Sequence, residues 1–242
     1  MFKSTVFILN PLFLLISWCV FFYSQKGLLV WVILSLLSIL LTAIFTSGYS
    51  FWKHKLQWSN FLLIYLAQLG FLLMLKNNLA RYLSAIVICF LWAFTWWMLK
   101  KYFKNYLAPN QLGYMSFKKY WYILNLWFLL SSVYSLTIFL NLDFYYVAIL
   151  VVLAIMSMTR DLMASKSWHW TFWLLIAIFF AQAFMLVYFL PVSFYVSSTI
   201  VTLWFYYFVT LALDDKKKAK WPIFIILLVT TFLLVSSLYI IL

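Results

Sequence analysis

The chain has 242 residues, of which 68% are hydrophobic, 24% aromatic and only 9% charged, and its formal net charge is +13. Soluble domains run about 45–50% apolar and about 25% charged, so no water-soluble globular fold accounts for this balance. Disordered, coiled-coil, collagen-like and disulfide-stapled chains are excluded too, because polar tracts, heptad charges and a glycine period are missing and only four glycines and two cysteines occur.

A helix that crosses a bilayer needs about 20 mostly apolar residues. In chain order, uncharged stretches run from Thr5 to Tyr23, Leu28 to Thr46, Asn60 to Leu75, Tyr82 to Leu99, Tyr120 to Leu140, Phe144 to Met158, Trp170 to Leu190, Val192 to Leu213 and Pro222 to Leu242. The pattern predicts an all-α integral membrane protein of nine transmembrane helices. Two breaks rest on more than hydropathy. Residues 120 to 158 as one helix would be nearly twice as long as the roughly 30 Å hydrocarbon core, which places a turn at Asn141-Leu142-Asp143. Pro191 cannot continue a helix without losing a hydrogen bond, so a hairpin is expected there. The first span follows Lys3 with no small-residue cleavage site after it and reads as a retained helix rather than a signal peptide.

With nine spans, Lys and Arg divide 14 to 3 between the two faces, the minority being Lys26, Lys76 and Arg81. Positive residues stay in the cytoplasm, so the N-terminus is expected inside and the C-terminus outside. A bacterial cytoplasmic membrane is the expected home, and an organelle's inner membrane suits the same composition. The basic face is read as topology determination and attraction to anionic lipid headgroups, through Lys100, Lys101, Lys104, Lys118, Lys119, Lys216, Lys217 and Lys218, and not as a nucleic-acid surface. The segment Lys100 to Trp121 mixes these lysines with Tyr, Phe, Met and Trp and reads as a basic, aromatic cytoplasmic or interfacial loop, with a partner-binding loop as the alternative.

An internal duplication is visible. At an offset of 115, FKSTVFILNPLFLLIS from Phe2 meets FKKYWYILNLWFLLSS from Phe117, Asn10 lands on Asn125, and His54 lands on His169. At an offset of 114, Ala67-Gln68 meets Ala181-Gln182 and Ser84-Ala85-Ile86-Val87 meets Ser198-Thr199-Ile200-Val201. The expected organisation is a four-helix membrane repeat over 1–99, the basic loop over 100–119, a second four-helix repeat over 120–213, and a basic loop with a ninth helix over 214–242. Four helices per repeat is an even number, so this is a tandem 4+4 parallel repeat, whose pseudo-twofold axis lies along the membrane normal.

Few residues carry chemistry. There is no Glu, and the four Asp are Asp143, Asp161, Asp214 and Asp215, none at membrane depth. Pumps coupled to protons or sodium place ionisable groups inside the bundle, so that class loses weight. His54 and His169 precede the third and seventh spans and read as interfacial rings; a shared ligand or lipid-phosphate contact is the alternative, and metal ligation would need companions the spacing does not supply. Cys19 and Cys89 are single thiols without C-x-x-C spacing. No phosphate loop, nucleophile elbow or metalloprotease pattern occurs, so no cofactor, metal or catalytic constellation is expected. The aromatic clusters Trp92 to Trp97 and Trp204 to Phe208 read as interfacial belts and lipid-facing packing.

Four carboxamides lie within spans, clear of their ends: Asn10, Gln68, Asn125 and Gln182. An amide in hydrocarbon must find a partner, either another helix or a solute. Interhelical bonding is the simpler reading, and a substrate path for a small neutral solute between the two repeats is the other. FLPVSFYVSSTIVTLWFYYF, Phe189 to Phe208, with the lysines after it, resembles uncharacterised multi-pass membrane proteins of small-genome, candidate-phylum bacteria. The resemblance covers the last third of the chain and implies no activity, substrate or site residue. The expected role is structural or accessory, as a subunit or assembly factor of a membrane complex or a homo-oligomer. A passive channel or carrier is the alternative and an enzyme the third choice.

Overall fold

The structure, a computed structural model, describes residues 2–24, 27–47, 55–104, 111–163, 170–190 and 192–213. All regular structure among them is helical, in eight helices: α1 (Phe2–Ser24), α2 (Leu28–Ser47), α3 (Lys55–Met74), α4 (Asn78–Lys104), α5 (Gln111–Leu140), α6 (Phe144–Leu162), α7 (Trp170–Tyr188) and α8 (Phe194–Leu213). The ninth expected span, Pro222 to Leu242, lies outside the described residues. Five helices are long and apolar enough to cross a membrane, over Leu28–Thr46, Gln57–Met74, Asn78–Lys101, Ser116–Leu140 and Phe144–Leu162. Helices α1, α7 and α8 contribute shorter apolar stretches, Ile8–Tyr23, Phe172–Tyr188 and Phe194–Thr210.

The helix ends follow local chemistry. Gly27 takes φ +72 between α1 and α2, a left-handed conformation that glycine adopts without a Cβ penalty. Asn141, at φ 49, makes the turn between α5 and α6 where the length argument requires a break. Asn77 caps α4: its side-chain oxygen accepts from the Leu79 N–H at 2.9 Å and the Ala80 N–H at 3.4 Å, two donors that the helix itself leaves unsatisfied. Asn77→Ala is therefore expected to lower stability by about 1 kcal/mol, with Asn77→Asp or Asn77→Ser recovering most of it. Thermal unfolding in detergent checks this, and an unchanged midpoint in the alanine variant would remove the capping role.

The segment read as a 100–119 loop differs from expectation. Helix α4 continues to Lys104 and α5 begins at Gln111. Nothing in 111–119 breaks a helix except Gly113, and the apolar run that follows propagates the helix back through it.

The chain divides at Ser116/Phe117 into two compact units, the division falling in the second turn of α5. In the first unit the core is aromatic. Trp58, Phe61, Trp92 and Trp96 form one cluster, with Trp58–Trp96 stacked at 6.4 Å and Phe61 edge-on to Trp92 and Trp96 at 5.8 and 5.9 Å. Trp18 on α1 stacks on Tyr65 of α3 at 6.0 Å. Trp18, Trp92 and Trp96 are thus core residues rather than belt residues, whereas Trp97, 52% exposed, faces outward as expected. With few glycines to allow close crossings, the helices pack through large rings.

In the second unit α5 is central. Tyr134 stacks on Phe184 of α7 at 4.5 Å and donates its hydroxyl to the Phe184 carbonyl at 3.1 Å. Trp127 donates to Thr199 of α8 at 3.0 Å and stacks on Tyr195. Phe144 at the start of α6 stacks on Phe184 at 5.4 Å, and Phe180 of α7 meets Phe205 of α8 at 5.7 Å.

Candidate functional site

The polar side chains inside each unit are the candidates for function. In the second unit the strongest is an ion pair. Because α5 is helical from Gln111, Lys118 lies two turns inside it and one turn before Tyr122, so the two share a face. Asp161 occupies the last turn of α6, where the partial negative charge of the helix end opposes a carboxylate. Lys118 answers both charges. Its ammonium sits 2.9 Å from Asp161 Oδ1 and donates to the Asp161 backbone carbonyl at 3.1 Å, one of the carbonyls the end of α6 leaves without an intrahelical donor. The Tyr122 hydroxyl donates to Asp161 Oδ2. Lys118 and Asp161 are 9% and 8% exposed, so this pair is sheltered from the screening that weakens surface ion pairs.

This places Lys118 apart from the lysines with which it was grouped. Lys118 is buried and held by Asp161, so it does not reach a headgroup. Lys119, its neighbour, turns the other way and lies 5.1 Å over the Tyr206 ring and 5.6 Å over Tyr120. In the first unit Lys101 is exposed, 5.5 Å over Trp97, and Lys100 is half-buried. Lys104 ends α4. Lys216, Lys217, Lys218, His54 and His169 lie outside the described residues.

The amides are the second candidate. In the first unit, Asn10 ties three helices: its Nδ2 donates to Ser38 Oγ on α2 at 2.7 Å, and its Oδ1 accepts the Trp96 indole N–H from α4 at 2.8 Å. Gln68 on α3 accepts the Trp92 indole N–H at 2.7 Å. Trp92 and Trp96 are successive turns of α4, so the two amides are read by adjacent rungs of one helix. Ser17 and Ser35, 3.1 Å apart, add a further tie between α1 and α2. Sequence reasoning identified these amides but missed their indole partners. The available signal was that a buried indole N–H needs an acceptor, and this apolar chain offers few.

In the second unit, Asn125 is fully buried and donates to the Trp121 carbonyl of its own helix at 2.7 Å. Gln182 is exposed on α7. Asn125 and Gln182 thus lie on different helices of the second unit, and in the first unit the side-chain oxygens of Asn10 and Gln68 each accept an indole N–H. Among the described residues no group of three His, Cys, Asp or Glu side chains is gathered that would hold a metal.

Among the described residues the chain is thus helical, in two apolar units with several helices suited to a bilayer, and its buried Asn10, Gln68, Lys118 and Asp161 side chains are each paired within their own unit. Compared with known proteins, it matches no family model, no curated protein and no solved structure.

Proposed function

We propose that the chain is a polytopic integral membrane protein with a structural or accessory role, a subunit or assembly factor of a membrane complex without catalysis of its own. One observation carries the reading: the buried polar groups Asn10, Gln68, Lys118 and Asp161 serve helix-to-helix ties, while the outward faces of α2 and α6 are apolar, as at Leu29, Leu37, Tyr146 and Leu153. Among the described residues, what remains for recognition is lateral surface, which lipid or another membrane protein covers.

The finer architecture belongs to the same proposal: nine spans, two tandem four-helix repeats and a ninth helix, with the N-terminus cytoplasmic. It is supported by the division near residue 117, with four described helices in each half of the chain. It is supported also by helix length, since α1, α7 and α8 run 23, 19 and 20 residues. These correspond to about 35, 29 and 30 Å at 1.5 Å rise per residue, enough for a roughly 30 Å core. Lys100, Lys101 and Lys119 would then meet anionic headgroups on the cytoplasmic face. A place among the bacterial multi-pass families that the last third resembles is part of this reading.

The test is the composition of the particle extracted gently from its native membrane. Other proteins at fixed stoichiometry are the expected result. A particle holding this chain and lipid alone would overturn the accessory role.

A further inference from the structure

Helix α7 has one face fixed inward. Ile176, Phe180, Phe184 and Val187 are buried, and Phe180 and Phe184 are clamped by rings from α8 and α5. The opposite face is an exposed stripe, Leu175, Ile178, Phe179 and Leu186, whose spacing keeps it on one side of the helix, with exposed Phe189 just past the helix end. Gln182 lies in the middle of that stripe and is exposed. Two alanines, Ala181 and Ala183, flank it and leave room beside the amide for another helix to come close.

A carboxamide facing hydrocarbon has no water to bond, and the packing of Phe180 and Phe184 prevents α7 from turning it inward. We propose that this face is a self-association surface, on which two copies of the chain meet α7 to α7 and the Gln182 amides exchange hydrogen bonds. The occupant follows from chemistry and symmetry. A carboxamide is both donor and acceptor, so its best complement is another carboxamide. All copies insert in one orientation, so a second copy related by a twofold axis along the membrane normal presents the same amide at the same depth, facing back. The rest of the stripe is uncharged and offers no repulsion. The inference rests on the chain crossing a membrane and not on its accessory role. Copies of this chain per particle test the pairing, whereas foreign subunits test the role, so either reading falls without the other.

The experiment is cysteine cross-linking in membranes holding the full chain, with Cys19 and Cys89 changed to alanine. Gln182→Cys is expected to give a disulfide-linked pair on mild oxidation, Ile178→Cys and Leu186→Cys a weaker one, and Leu153→Cys on the exposed face of α6 none. In vesicles, Gln182→Leu is expected to raise the dimer dissociation constant about tenfold, the equivalent of about 1.4 kcal/mol for two interhelical amide bonds, and Gln182→Asn to raise it less. No linked pair at position 182, equal linking at position 153, an unchanged dissociation constant for Gln182→Leu, or a linked species containing a different protein would each overturn the proposal.

Discussion

Lys118→Leu is expected to destabilise the second unit by about 3–5 kcal/mol, because removing one partner of a buried ion pair leaves the other charge uncompensated. Asp161 would keep only the Tyr122 hydroxyl on Oδ2, and the carbonyl at the end of α6 would lose its donor. The reverse change is milder. In Asp161→Leu the remaining ammonium sits on a flexible four-carbon stem and reaches the headgroup level by snorkelling, which a short carboxylate cannot do, so about 2–3 kcal/mol is expected. The double variant Lys118→Leu/Asp161→Leu removes both charges together and is expected to lie closer to the wild type than Lys118→Leu does, since replacing a buried pair with apolar residues is often neutral. A double-mutant cycle read by denaturant unfolding in mixed micelles supplies the coupling. If both single variants unfold within 1 kcal/mol of the wild type, the pair is a surface contact and α5 is held to α6 by other means.

That pair also marks the limit of what the sequence makes legible. Bilayer thickness sets helix length, so the break between Leu140 and Phe144 can be read from the chain by length alone, and Asn141 proves to be the turn residue. Partners across helices are not encoded by length. Lys118 and Asp161 are 43 positions apart, and a lysine beside another lysine and several aromatics has the composition of an interfacial segment. What turns Lys118 inward is the extension of α5 back to Gln111, which puts it on the face of Tyr122 while Lys119 points away. A usable signal existed in Asp161 itself: a carboxylate in the last turn of an apolar helix opposes the helix dipole and calls for a cation within reach.

The aromatic residues were misleading for a related reason. Trp suits both a headgroup belt and a core that lacks small residues, and composition does not separate the two. Periodicity comes closer. Trp92 and Trp96 are one turn apart and both point into the first unit, whereas Trp97, rotated by about 100° from Trp96, points out. The indole N–H groups explain why these two inward positions suit Trp rather than Phe, since each donates to a carboxamide oxygen in the core.

Trp96 separates packing from hydrogen bonding in the first unit. Trp96→Ala is expected to cost about 3 kcal/mol, the low end for deleting a buried ring, because a side chain released into lipid loses close contacts but little hydrophobic transfer energy. The contacts at stake are Trp58 at 6.4 Å and Phe61 and Trp92 at 5.9 Å. Trp96→Phe keeps most of the ring contact but removes the donor to Asn10 Oδ1, so about 1 kcal/mol is expected. Adding Asn10→Leu to Trp96→Phe removes the orphaned oxygen and should recover part of that loss, although Ser38 then loses the bond from Asn10 Nδ2. Unfolding midpoints in micelles order the three variants. Trp96→Phe as damaging as Trp96→Ala would make the amide–indole bond the dominant tie between α1 and α4. Equal stability of Trp96→Ala and the wild type would mean that the aromatic cluster does not hold the unit together.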